Sequence, residues 1–128
     1  MRIAPLFAAL VLLAGCGEAS EAGGSATPRY DITVIYWPEG PDGESREATL
    51  TCDPDGGSHP DPAGACDALL ENEDALEPVP GDVACTEIYG GDQVATITGS
   101  VDARFSRANG CEIDRWDRLA PVLELHAF

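Results

Sequence analysis

Lysine is absent from the chain. Its 7 basic residues are all arginine, against 23 aspartates and glutamates, for a formal net charge of −16. That balance excludes nucleic acid as a partner, because phosphate binding needs the opposite sign. It also excludes direct attraction to an anionic membrane surface, although it could steer a basic partner. Histidine is scarce: His59 and His126 are the only 2, a thin basis for Ser-His-Asp catalysis. His59 reads as a structural hydrogen-bonding residue inside a cysteine-flanked loop, and His126 as a surface residue. Carboxylates are so frequent that no pair of them singles out general acid–base chemistry. No Cys-x-x-Cys pair occurs, which speaks against a thiolate zinc site. The Asp-x-Asp-Gly start at Asp53 lacks the glutamate a calcium loop needs, since Gly64 stands at its twelfth position. No cofactor is implied, and no repeat or second domain is visible.

Long hydrophobic runs are also missing. The one charge-free apolar stretch, Ala4 to Ala14, follows Arg2 and is too short for a permanent bilayer span. It reads as the core of a signal peptide. It ends in Leu13-Ala14-Gly15-Cys16, which reads as a lipobox, with Cys16 as the lipid-bearing first residue of the exported protein. The 5 cysteines support this. An odd number in an exported protein needs an explanation. Removing Cys16 leaves Cys52, Cys66, Cys85 and Cys111, which can pair fully in an oxidising compartment. The sequence therefore divides into a leader at 1–15, a tether at 16–29 and one domain at 30–128. The Gly/Ala/Ser/Glu run of about 12 residues after Cys16 spans roughly 20 Å as a flexible chain. The expected location is the outer face of a bacterial cell membrane, held there through the lipid alone. Without Arg2, six arginines face 23 carboxylates, so the mature chain sits near −17.

The domain pattern is α+β, an antiparallel sheet with two helices. Tyr30 to Trp37 is β-branched and aromatic, hence a strand. Arg46 to Cys52 is a second, with Ala48, Leu50 and Cys52 on one face, and the turn cluster Pro38 to Gly43 lets the two form a hairpin. Asp61-Pro62 opens a helix as cap and first-turn proline, with Ala65, Cys66, Leu69 and Leu70 at helical spacing and an end before Pro78. Val83 to Tyr89 is extended, and Gly90-Gly91-Asp92 is a turn. Val94 to Val101 alternates as a strand, with Ala103 to Arg107 a short one. Ile113, Trp116 and Leu119 mark a short helix over Glu112 to Leu119 that Pro121 stops. Val122 to Phe128 is expected to be a closing strand.

Residues 52–69 carry Cys52, Pro54, Gly57, His59, Pro60, Ala65, Cys66 and Leu69 at the spacing C-x-P, G-x-H-P, A-C and Leu. This resembles the signature of the bacterial subtilisin inhibitor-like family of serine protease inhibitors. Cys85-Thr86-Glu87-Ile88-Tyr89 sits where that family has its reactive loop. Asn109 lies two before Cys111, and the chain ends in Ala127-Phe128, both as in the family. The resemblance covers about residues 46–128. It implies about five antiparallel strands with two helices, bridges Cys52–Cys66 and Cys85–Cys111, and often a homodimer. It implies inhibition of an extracellular serine protease by a rigid, substrate-like loop. By position, Glu87 is P1 and Ile88 is P1′, with Ala84, Cys85 and Thr86 as P4, P3 and P2 and Tyr89 following.

Three features depart from the family pattern. Glu87 is acidic where family members usually carry an apolar or basic P1. Gly90-Gly91 replaces a common Asp-Pro, which predicts a looser C-terminal side of the loop. The stretch from Gly99 to Cys111 is shorter, which predicts a trimmed hairpin. The rival reading is a non-inhibitory envelope lipoprotein that keeps the inhibitor fold. An enzyme is not expected.

Overall fold

A computed structural model describes residues 27–126. The leader at 1–15, Cys16, most of the tether and the terminal Ala127-Phe128 lie outside the described residues.

The described chain forms strands β1 (Tyr30–Trp37) and β2 (Arg46–Cys52), helix α1 (Pro62–Glu71), a 3-10 turn (Glu73–Leu76), strands β3 (Val94–Gly99) and β4 (Ala103–Ser106), and helix α2 (Gly110–Leu123). The sheet is antiparallel throughout, in the order β2-β1-β3-β4. Alternation sets its two faces. Ile32, Val34 and Tyr36 of β1, Ala48, Leu50 and Cys52 of β2, Ala95 and Ile97 of β3 and Phe105 of β4 are buried with Leu69, Trp116, Leu119 and Val122 of the helices. On the opposite face, Thr33 and Ile35 stand beside Thr49, Glu47, Thr96 and Thr98, and none of these is buried.

Local chemistry fixes the helix starts. The Asp61 side chain accepts the Gly64 N–H at 3.1 Å, and Pro62 occupies the first turn, where a missing N–H costs nothing. The Asn109 side chain accepts the Glu112 N–H at 3.0 Å to start α2. Asn72 closes α1 and ties it to α2. Its amide donates to Ala68 O at 2.9 Å and Arg118 O at 3.2 Å, while Arg118 Nε donates back to Asn72 Oδ1 at 3.2 Å.

Cys52 is joined to Cys66 and Cys85 to Cys111, across 14 and 26 residues. In the chain-entropy picture, closing such loops contributes about 3 and about 3.5 kcal/mol. That matters in a domain small enough to have limited core.

Two expectations at the C-terminal end are corrected. Pro121 does not stop α2 but lies inside it, and the helix runs from Gly110 to Leu123 rather than Glu112 to Leu119. Val122 and Leu123 therefore belong to α2 and not to a closing strand. The chain then leaves the helix, with Leu125 fully buried and its carbonyl accepting from Arg46 Nη1 at 2.8 Å. The described residues accordingly contain four strands. The expected strand was a run of Val and Leu whose burial is supplied by the last helical turn. Elsewhere the differences are at ends: β3 stops at Gly99, which takes a φ of +125° with its α-carbon against the backbone of β1. Ser100 to Asp102 alone then connect β3 to β4.

Candidate functional site

Residues 78–93 cross the end of the domain without regular secondary structure. Ala84, Thr86, Glu87, Ile88 and Tyr89 are exposed, and Cys85 is half-buried. Ile88 and Tyr89 are each 62 % exposed, unusual for large apolar side chains in a domain whose other apolar residues are mostly buried. An exposed irregular segment is ordinarily mobile, but this one is tied down on both sides of Glu87-Ile88-Tyr89.

On the N-terminal side, Cys85 is bonded to Cys111 in the first turn of α2. The next residue adds a second anchor, as Thr86 C=O accepts the Gly110 N–H at 2.9 Å. The Thr86 side chain lies directly over the Gly110 α-carbon, where any larger residue would collide with it. On the C-terminal side, Gly90 N–H donates to Arg107 C=O at 2.7 Å, and Arg107 Nε donates to Gly90 C=O at 3.2 Å. Tyr89 OH bonds to Asp92. A β-carbon at Gly90 would come within 2.9 Å of the Ile113 side chain and 3.1 Å of Arg107 Nε. The expected loosening is thus not what Gly90 brings. Its lack of a side chain lets the main chain press against α2, and two hydrogen bonds hold it there.

Arg107 has a role at the segment that the sequence did not mark. Besides its bond to Gly90, it pairs with Asp117 at 2.8 Å and lies over the Trp116 ring, 5.9 Å from the centroid. Its position just after β4 and before the α2 cap gave no sequence signal beyond an arginine in an acidic chain. Arg115 was also unmarked. Its nearly buried guanidinium lies 4.5 Å above the Phe105 ring, donates to Ala75 O at 3.0 Å and Arg104 O at 3.3 Å, and pairs with Glu112 at 2.8 Å. It welds the 3-10 turn, β4 and α2 into the platform beneath the segment.

Between the segment's N-terminal flank and α2 runs an open groove of ≈ 710 Å³ walled by Pro78, Val79, Pro80 and Val83, with Asp114 and Arg118 at its rim. Arg118 pairs with Asp74, whose carboxyl is held below its ordinary range mainly by that hydrogen bond. Glu73 is lowered likewise by hydrogen bonds from Tyr30 and Arg29.

His59 is buried, and both ring nitrogens are used. Nδ1 accepts the Asp61 N–H at 3.0 Å, so Nε2 carries the proton and donates to Val122 O at 3.0 Å. It joins the 53–60 loop to the end of α2. His126 is exposed and lies 3.1 Å from Glu124. Among the described residues one grouping has metal-type ligand atoms together, Cys52, Asp55 and Cys66. Its two sulfurs form a disulfide and are not thiolate donors.

A small disulfide-bonded α+β domain that displays an exposed, irregular segment anchored at both ends is a scaffold for offering main chain to a partner. Residues 33–102 match the family described as subtilisin inhibitor-like, more than half of the chain, and the protein belongs to that family of protease inhibitors. No curated protein matches the chain.

Proposed function

We infer that the protein inhibits a serine protease by presenting Glu87-Ile88 to the catalytic serine as a bond that is bound but barely cut. The observation that carries this reading is the bracketing of an exposed three-residue stretch. Thr86 and Gly90 are each hydrogen-bonded to the body, and Cys85 is covalently tied. Proteases bind substrate as an extended strand through main-chain hydrogen bonds. A strand already held in place loses less freedom on binding, and a cut end held in place stays ready to religate. Thr86 and Ile88, β-branched on either side of Glu87, favour extended backbone.

The protein itself is not an enzyme in this reading. The structural use of both His59 nitrogens supports that. The leader and Cys16 supply export and a lipid anchor at the outer face of the cell membrane, and the tether sets the domain off that surface. The protease partner is extracellular. Two copies associate through the open face of the sheet, where none of the described helices covers Thr33, Ile35, Thr96 and Thr98.

Glu87 decides the target. An ionised carboxylate in an apolar S1 pocket costs several kcal/mol before relaxation, whereas a pocket with basic or hydrogen-bonding groups accepts it. Glu87→Leu should therefore tighten binding to a subtilisin by about 1–3 kcal/mol, roughly fivefold to 150-fold, and weaken binding to a glutamate-specific protease. Inhibition constants for both enzymes, measured with wild type and variant, test this. Unchanged constants for both would mean that Glu87 is not P1. Absence of inhibition across a panel of serine proteases, with rapid cleavage of the segment, would remove the inhibitory reading.

A further inference from the structure

The dipeptide Asn109-Gly110 stands at the point where α2 meets the exposed segment. Asn109 is the helix cap, with φ −157° and ψ 177°, and its side-chain oxygen accepts the Glu112 N–H at 3.0 Å. The following amide, Gly110 N–H, is donated to Thr86 C=O at 2.9 Å. Both residues are half-buried, so water reaches them. Glycine after asparagine leaves the next main-chain nitrogen unobstructed by a β-carbon and free to turn toward the asparagine side chain.

We propose that Asn109 is a latent site of spontaneous deamidation, held off by the docked loop through its grip on the Gly110 amide. In the reaction the Gly110 nitrogen gives its proton to solvent and attacks Asn109 Cγ. The new N–Cγ bond closes a five-membered succinimide, the Cγ–Nδ2 bond breaks, and Nδ2 takes up a proton and leaves as ammonia. Water then opens one of two carbonyls. Breaking N–Cγ leaves an ordinary aspartate in place of Asn109. Breaking the bond from Gly110 N to the Asn109 carbonyl carbon yields isoaspartate, with the main chain routed through the side chain. Nothing is oxidised or reduced.

The geometry primes one half of this reaction and blocks the other. The Glu112 N–H polarises the Asn109 side-chain carbonyl and lies where charge develops on its oxygen as the ring closes. The nucleophile is withheld, because its proton is shared with Thr86 C=O and the nitrogen cannot turn while that bond stands. Undocking the loop releases the nitrogen and leaves the cap in place. The two products differ in consequence. The aspartate product keeps a cap acceptor and adds a carboxylate at a helix N-terminus, which is favourable. Isoaspartate inserts a methylene into the main chain just before Gly110 and Cys111, the two residues that hold Thr86 and Cys85. A molecule whose loop has been released is thereby altered at the seat to which the loop must return. The proposal needs only the contact between loop and helix, and it stands or falls apart from any inhibitory activity.

The test follows isoaspartate and aspartate at position 109 by peptide mapping during incubation at mildly alkaline pH, together with hydrogen exchange of the Gly110 amide. The samples are the intact protein, a peptide spanning residues 104–116, and two variants that loosen the loop's seat differently: Thr86→Gly, which removes the side chain packed over Gly110 and frees the backbone around the acceptor carbonyl, and Cys85→Ala with Cys111→Ala, which removes the covalent tie. Circular dichroism establishes that each variant is folded, and misfolding of one leaves the other to decide. The intact protein should deamidate about tenfold or more slowly than the peptide, as expected for an amide that reacts only after local opening. In the variants exchange and deamidation should rise together toward the peptide's rate. Deamidation of the intact protein at the peptide's rate would overturn the proposal. So would fast Gly110 exchange in a folded variant with unchanged deamidation, which would assign the protection to the helix. Unchanged exchange in the folded variants would equally overturn it, since the loop would then not be what holds the amide.

Discussion

Arg107 shows how one side chain can serve a loop that it does not belong to. Its guanidinium bonds to Gly90 C=O, pairs with Asp117 and covers Trp116, while its own carbonyl accepts the Gly90 N–H. The Asp117 carboxylate is 62 % exposed, so that ion pair contributes little by itself. The main-chain bond to Gly90 does not need the Arg107 side chain, but the side-chain bond does. Arg107→Ala should therefore cost about 1–2 kcal/mol of unfolding free energy, from a lost hydrogen bond to a charged donor and the lost cation–π contact. Its larger effect should be on the loop. A glutamate-specific protease should hydrolyse Glu87-Ile88 several-fold faster in the variant, as measured by mass spectrometry of the cut chain. Arg107→Lys should rescue little, because an ammonium lacks the planar fork that reaches Gly90 and Asp117 together. Unchanged hydrolysis in Arg107→Ala would leave the segment's order to Cys85 and Thr86 alone.

At the scale of elements, α2 carries the most structure and was the least legible. Ile113, Trp116 and Leu119 announced a helix, and Asn109 caps it, but Pro121 argued for an earlier end. Proline removes the hydrogen bond to Asp117 C=O and crowds that carbonyl. The helix continues because Val122 and Leu123 bury their side chains completely against the sheet, each worth about 1.5–3 kcal/mol. Tertiary burial therefore overrode a local breaker. Pro121 is exposed, so Pro121→Ala should restore the missing bond without disturbing the core. The gain in the helix is offset by the greater freedom of the unfolded chain, and the net expectation is stabilisation by about 1 kcal/mol in urea unfolding. A destabilised variant would mean that the ring makes a packing contribution beside His59. The hairpin of β1 and β2, the start of α1 and the shared face of Ala48, Leu50 and Cys52 on β2 were legible, because alternation and a capped first turn are local signals. The bonds from Gly110 to Thr86 and from Arg107 to Gly90 were not, because they join residues brought together by folding, with no spacing to advertise them.

At the scale of the whole molecule, the charge near −16 sets the terms on which two copies can meet. Like charge opposes association, yet it acts over only about 8 Å at physiological salt, so the charges on the contacting faces matter most. The open face of the sheet has a row running across all four strands. Glu47 on β2 is opposite Ile35 on β1, Ile35 is opposite Thr96 on β3, and Thr96 is opposite Arg104 on β4. Its ends thus carry opposite charges around a less polar middle. A two-fold axis parallel to the strands would reverse the row in the second copy and set each Glu47 against the other copy's Arg104. An axis across the strands would set like against like. The self-complementary arrangement uses both pairs at once, as an isologous interface requires. Glu47→Arg or Arg104→Glu alone should then raise the dimer dissociation constant roughly fivefold to a hundredfold, at about 0.5–1.5 kcal/mol for each of the two reversed pairs. The double variant, with both charges exchanged, should return close to wild type. Sedimentation of the lipid-free protein at micromolar concentration checks this. If the double variant is as weak as either single one, Glu47 does not face Arg104 across the proposed interface, and a wild type that sediments as a monomer would remove the dimer itself.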